Sequence, residues 1–314
     1  MNIASTRLRG WWNSFWFAHG SPLNLAMARV LVATQALWVV LSRDFAAISG
    51  LPPEFFSRVD AGAQWRFLIF PGHPGMEAVL QWAAVLALLG ALFGVGTRIS
   101  CFIAGMLLYH LAPFESIIWL PYPFARGLTL PVVALVVLSF ARSGDRLALV
   151  RPRTLRQEAS PALDYSWQLR LIQLLLAQVY LFSAIAKLKR SGFAWVSADN
   201  VRRWIVYLVE DPDFAVYHSV GLWIADHPGV AVTVAALTLV LELGFVLVLF
   251  SPIARRILVP AAFALHIGIA FSMNLTFVSA LLLLVFVNWD WVGERLGMES
   301  SIGELAPEPV QRGT

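Results

Sequence analysis

Apolar residues run along this chain in long blocks separated by short polar turns. A bilayer crossing needs about 20 mostly apolar residues. Blocks of that kind fall at 24–45, 76–94, 99–119, 128–141, 167–187, 230–250, 257–273 and 277–289. The pattern predicts an all-α fold, a polytopic integral membrane helical bundle of about eight transmembrane helices with interfacial helices added. The 128–141 and 277–289 blocks are short for a crossing.

Two further stretches have a helical period without being apolar all round. Near the start, Arg7 and Arg9 precede Trp11, Trp12, Phe15 and Trp16. This suits an amphipathic helix over residues 1–20 lying in the membrane interface, aromatics down and arginines toward headgroups. The other reading is an unstructured tail. In 198–209, Val201, Trp204, Ile205 and Leu208 share one helical face, with Asp199 as the expected N-cap. That helix is expected to lie on the outer membrane surface. Residues 21–293 form the membrane domain. The tail 294–314, rich in Glu, Pro and Gly, is expected to be disordered.

Composition agrees. Of 314 residues 59% are hydrophobic and 13% charged, against about 45–50% and about 25% in soluble domains. The mean hydropathy is +0.71. The 13 Trp and 21 Phe fit interfacial belts. Cys101 is the only cysteine, so an internal disulfide and a cysteine metal cluster are excluded. No metal-site motif, phosphate-binding loop or cleavable signal peptide is evident. The net charge of +4 is spread over loops, which marks orientation and gives no sign of nucleic-acid binding.

Cations are asymmetric across the blocks. With the N-terminus inside, the inner segments hold Arg7, Arg9, Arg98, Arg142, Arg146, Arg151, Arg153, Arg156, Arg255 and Arg256. The outer turn "FSMNLTF" has none, and the loop after the third block has none before Arg126. Both termini are therefore expected in the cytoplasm of a bacterial cell, with the chain in its cytoplasmic membrane. The outer segment 187–228 breaks the rule with Lys187, Lys189, Arg190, Arg202 and Arg203. Long loops follow the rule less closely.

Ionisable groups at membrane depth are costly and face a bundle interior or cavity. Arg29, Lys187, Glu242 and His266 lie inside blocks, and His110 and Glu115 lie further out on the third. Gln173, Tyr180 and Lys187 repeat every seven residues, which brings them within about 20° of one line on a helix. That polar stripe faces other helices or water. Arg29 and Lys187 either snorkel or enter a pocket. Glu242, mid-block, is a buried partner or a site residue. His266 either bonds a neighbouring helix or joins the site. Lys187 and Lys189 differ by about 200° in direction, so one can be a pocket lysine while the other anchors the helix. The residues alone lead to a polar intramembrane pocket and name no reaction.

Five stretches together resemble the horizontally transferred transmembrane (HTTM) family, which includes the vitamin K-dependent gamma-glutamyl carboxylases. They are "NLAMARVLV" with Arg29, "GTRISCFIAGMLL", "VYLFSAIAKL" followed by Trp195, "LTLVLELGFVL" with Glu242, and "FALHIGIAFSMNLTF" with His266. They occur in the family's order over roughly 20–292. The resemblance implies a lyase-type membrane enzyme whose site faces the periplasm or lumen. It implies a reduced quinone as cofactor, vitamin K hydroquinone or a menaquinol-like molecule, with O2 and CO2 as further partners beside membrane lipid. It assigns base chemistry to Lys187. A base must be neutral, and burial beside Lys189 and Arg190 would favour the neutral amine. The chain departs from the family in two ways. The carboxylase's large lumenal substrate-binding region after the spans has no counterpart here. Where the family has a histidine between its third and fourth spans, this chain reads "PYPFARGL", with Arg126.

Three functional classes stay open on these grounds: a quinol-dependent membrane enzyme, a non-catalytic membrane protein that binds lipid or a partner, and a transporter. Transport is expected to leave inverted repeats, and the two halves show no clear self-similarity.

Overall fold

A computed structural model describes residues 3–18, 20–52, 54–55, 73–118, 127–150, 165–209 and 218–297. Every element among them is helical. The expected positions Arg126, Arg151, Arg153 and Arg156, and the tail from 298 on, lie outside the described residues. The helices are α1 (Ile3–Trp16), α2 (Pro22–Leu41), α3 (Phe45–Ser49), α4 (Pro74–Phe93), α5 (Thr97–Ile118), α6 (Thr129–Ser139), α7 (Ser166–Ser191), α8 (Ala198–Val209), α9 (His218–Asp226), α10 (Pro228–Gly244), α11 (Pro252–Met273) and α12 (Trp289–Arg295).

Among the described residues, five stretches are long and apolar enough to cross a membrane: Pro22–Leu41, Pro74–Phe93, Ser166–Val196, Pro228–Leu249 and Pro252–Met273. They correspond to the first, second, fifth, sixth and seventh sequence blocks. The third block is α5, which carries Arg98, His110, Pro113 and Glu115 along its length. The fourth is α6, with 11 residues. At 1.5 Å per residue that is about 16 Å, roughly half a hydrocarbon core. The eighth block is a 3₁₀ segment, Val278–Phe286.

The chain divides into two compact units. The first comprises residues up to Ile172 together with those from Val287 on. Its helices α2, α4, α5 and α6 pack on one another, and α12 returns to α2. Local chemistry sets the ends. Ser21 caps α2, its hydroxyl accepting from the Leu23 and Asn24 amides at 3.1 and 3.4 Å, ahead of a proline at the first helical position. The same hydroxyl donates to Asp290 at 2.6 Å. Asn24 donates to Asp290 at 3.0 Å and accepts from the Trp289 amide at 2.7 Å. These bonds tie residues far apart in sequence. Gly94, at φ +76°, ends α4 in the left-handed conformation that glycine adopts without Cβ strain. Glu115, 1% exposed, accepts from the Gly127 and Leu128 amides at 3.3 and 2.9 Å at the start of α6.

The second unit spans Gln173–Phe286. Val201, Ile205 and Leu208 on α8 are buried as the periodicity requires, while Trp204 is 40% exposed. Val201 and Ile205 join Ala225 of α9 and Ala231 and Ala235 of α10 in one apolar cluster. The apolar face of α8 is therefore covered at least in part by protein. Its N-cap is Ser197, whose hydroxyl accepts from the Asn200 amide at 3.2 Å, in place of the expected Asp199. Serine wins because it stands just outside the helix, with Asp199 already in the first turn.

Candidate functional site

The polar set of the second unit is built on α7. Residues 173 and 180 keep the seven-residue line, and both side chains are buried. Gln173 Nε2 donates to the Val285 carbonyl at 2.8 Å, supplying a bond to the backbone of the 3₁₀ segment. The Tyr180 hydroxyl lies 2.8 Å from Nε2 of His266 on α11. The Tyr180 ring stacks on Phe245 at 4.2 Å between centroids, and the His266 ring tilts against Phe277 at 5.1 Å.

About two turns further along α7, Lys187 meets three partners. Its amine forms an ion pair with Glu242 of α10. It donates to the Ser183 hydroxyl at 3.0 Å, which in turn donates to Glu242 Oε1 at 3.2 Å. The amine also lies 5.0 Å from the Trp195 ring centroid, within cation–π range. Glu242 is 7% exposed, Lys187 is half-buried, and Lys189 and Arg190 are exposed. The cationic surroundings expected for Lys187 are thus replaced by a carboxylate. Lys189 lies about 200° round the helix from Lys187 and projects elsewhere, while α10 brings the acid.

Two buried atoms of this set have no hydrogen-bond partner among the described residues: Oε2 of Glu242 and Nδ1 of His266. Their characters follow from the network. Tyr180 has one hydroxyl proton and is buried. Donating it to Nε2 satisfies both groups, and the neutral imidazole then carries its own proton on Nδ1. The set thus offers one spare acceptor, Glu242 Oε2, and one spare donor, His266 Nδ1–H. Buried polar groups in native structures are nearly always satisfied, so this pair suits a ligand bearing both a hydroxyl and an acceptor oxygen.

Arg29, the remaining candidate, belongs to the first unit. It is fully buried and donates through Nη2 to the Leu147 carbonyl, while Nε and Nη1 have no partner among the described residues. Leu147 has φ +51°, a left-handed conformation unusual for a β-carbon residue. Burial keeps the Arg29 guanidinium out of contact with solvent. In the same unit, His110 Nε2 sits 3.0 and 3.1 Å from the two oxygens of fully buried Glu77.

Sequence reasoning missed Ser183, Phe245, Phe277 and Glu77. Ser183 stands three residues after Tyr180 and four before Lys187, so helical spacing alone could have added it to the stripe. Glu77 sits in the first turn of α4, where an acid reads as a helix-end residue. The two phenylalanines are ordinary members of apolar blocks and carry no signal. Among the described residues no cluster of His, Cys, Asp or Glu could hold a metal ion. Comparison with family models, with curated proteins and with solved structures finds no match.

Proposed function

We propose that this chain is an HTTM-type membrane protein whose second unit binds a reduced quinone, with Lys187 as the base. The observation that carries the reading is the Lys187–Ser183–Glu242 group on the same stripe as Tyr180–His266, with one acceptor and one donor left over. The donor set fits a hydroquinone, which has a hydroxyl for Glu242 and a second oxygen for His266. When bound, a hydroquinone supplies an acidic hydroxyl and, once ionised, reducing equivalents. Lys187 as an ammonium cannot accept a proton. The base role therefore requires the neutral amine, with its surplus proton passed to Glu242. The amine then takes the hydroxyl proton, and Ser183 keeps it in position. These residues support deprotonation. Use of O2 and CO2 rests on the resemblance alone.

The test is oxygen-dependent oxidation of a reduced naphthoquinone by protein in lipid nanodiscs. Lys187→Arg, which keeps the charge but cannot act as a base, is expected to lower the rate by about 100-fold or more. Lys189→Arg should leave it unchanged. Full activity in Lys187→Arg would remove the base role, and failure of the unaltered protein to bind or oxidise the quinol would remove the whole reading.

The same ion pair favours a second, non-catalytic reading. Glu242, Ser183 and Trp195 together occupy the ammonium, as a cross-link between α7 and α10 requires. In that case Lys187→Arg keeps wild-type stability and there is no quinol turnover to lose.

The proposal includes about eight crossings, with α5, α6 and the 3₁₀ segment completing the count, and both termini in the cytoplasm of a bacterial inner membrane. The cation asymmetry supports this orientation. In a Cys101→Ala background, a cysteine at Arg146 should react with an impermeant maleimide only after the inner face is opened. Labelling of intact cells at that position contradicts the orientation.

A further inference from the structure

We infer that α1 is a docking surface for an anionic lipid bilayer. Leu8, Trp11, Trp12 and Phe15 follow the i, i+3, i+4, i+7 spacing of a single helical face. Leu8 is 66% exposed, Trp11 50% and Trp12 53%, so among the described residues most of this apolar face is uncovered. Its far end is held by the first unit: Phe15 and Trp16 are half-buried, and the guanidinium of Arg170 lies 5.6 Å from the Phe15 ring centroid. The helix is thus fixed at one end and offers the rest of the same face outward.

Charge decides which occupant fits. At 100° per residue, Arg7 and Arg9 lie roughly 100° to either side of the centre of the apolar arc. They flank it on both borders, where an arginine can keep its head at phosphate level while the ring face sinks below. Residues 1–20 contain no Asp or Glu. A protein surface that paired with this helix would need acids on two parallel lines about a helix diameter apart. A bilayer with anionic headgroups supplies them everywhere, together with the apolar layer beneath. Tryptophan, apolar in body with one polar N–H, is the residue enriched at that depth.

The test uses the full chain in nanodiscs, in the Cys101→Ala background, with single cysteines carrying an environment-sensitive fluorophore. Leu8→Cys places the probe on the apolar arc. Gly10→Cys places it nearly opposite, where an added side chain meets no atom within 4 Å. With phosphatidylglycerol present, the Leu8 probe should emit as in an apolar medium and be quenched by acyl-brominated lipid, while the Gly10 probe behaves as in water. Arg7→Gln with Arg9→Gln should cut the docked-to-free ratio by roughly thirtyfold in phosphatidylglycerol and change it little in phosphatidylcholine alone. A Leu8 probe that stays in water overturns the inference. So does a Leu8 probe that is shielded but not quenched by brominated lipid, which would place a protein, either a second copy or another partner, on this face.

Discussion

Glu242→Ala is expected to destabilise the protein by about 2 kcal/mol, below the 3–5 kcal/mol of a fully buried broken pair. The reduction follows from exposure: the Lys187 side chain retains 24% of its accessible surface against 9% for Glu242. Without the carboxylate, the ammonium keeps, among the described residues, the Ser183 hydroxyl and the face of Trp195. Lys187→Met alone strands the carboxylate in the same way. The double variant Lys187→Met/Glu242→Leu removes both charges and fills their volume, so it should return to within about 1 kcal/mol of the parent. Thermal unfolding in detergent of the four proteins gives the coupling directly. Additive losses in the double variant would mean that the two residues do not depend on one another. The stability cycle is independent of turnover, so it reports on the pair under either functional reading.

Gly221→Ala should be the most damaging single-methyl change in the second unit, at about 3 kcal/mol. A Cβ at this position in α9 would overlap the Ser272 backbone carbonyl of α11 and press on Ile205 of α8 at 3.2 Å. A backbone carbonyl in a helix cannot move aside as a flexible side chain can, so the helices must part. Gly268→Ala, within α11, is the matched control. Its added methyl meets nothing within 4 Å, and alanine is the better helix former by about 1 kcal/mol. That variant should unfold at a higher temperature than the parent. Equal behaviour of the two variants would show that α9 and α11 do not approach at Gly221.

Several features were legible because they depend on local spacing. The 3.6-residue period places Gln173 and Tyr180 on one buried line, and it places Val201, Ile205 and Leu208 under α8. Hydropathy identified the five long apolar helices, since satisfying every backbone hydrogen bond internally leaves a segment of that composition few alternatives to helix. The blocks at 128–141 and 277–289 were less legible. Their apolar content is the same whether the backbone closes i→i+4 or i→i+3 bonds, and composition does not reveal that the second becomes a 3₁₀ segment whose Val285 carbonyl takes the bond from Gln173.

The amino-acid sequence by itself determined that this is an all-helical chain of membrane character with a few ionisable groups inside apolar runs, because residue type and period act within one helix. Only the tertiary structure decided their partners. Glu242 lies 55 residues from Lys187 and His266 lies 86 from Tyr180, and nothing within a helix records which face of a distant helix will meet it. The same holds for Arg29, whose burial against the Leu147 carbonyl depends on a turn 118 residues away. Charge complementarity can pair a lysine with any of several acids. Packing of α7 on its neighbours selects Glu242, and in doing so changes the surroundings of Lys187 from cationic to those of an ion pair.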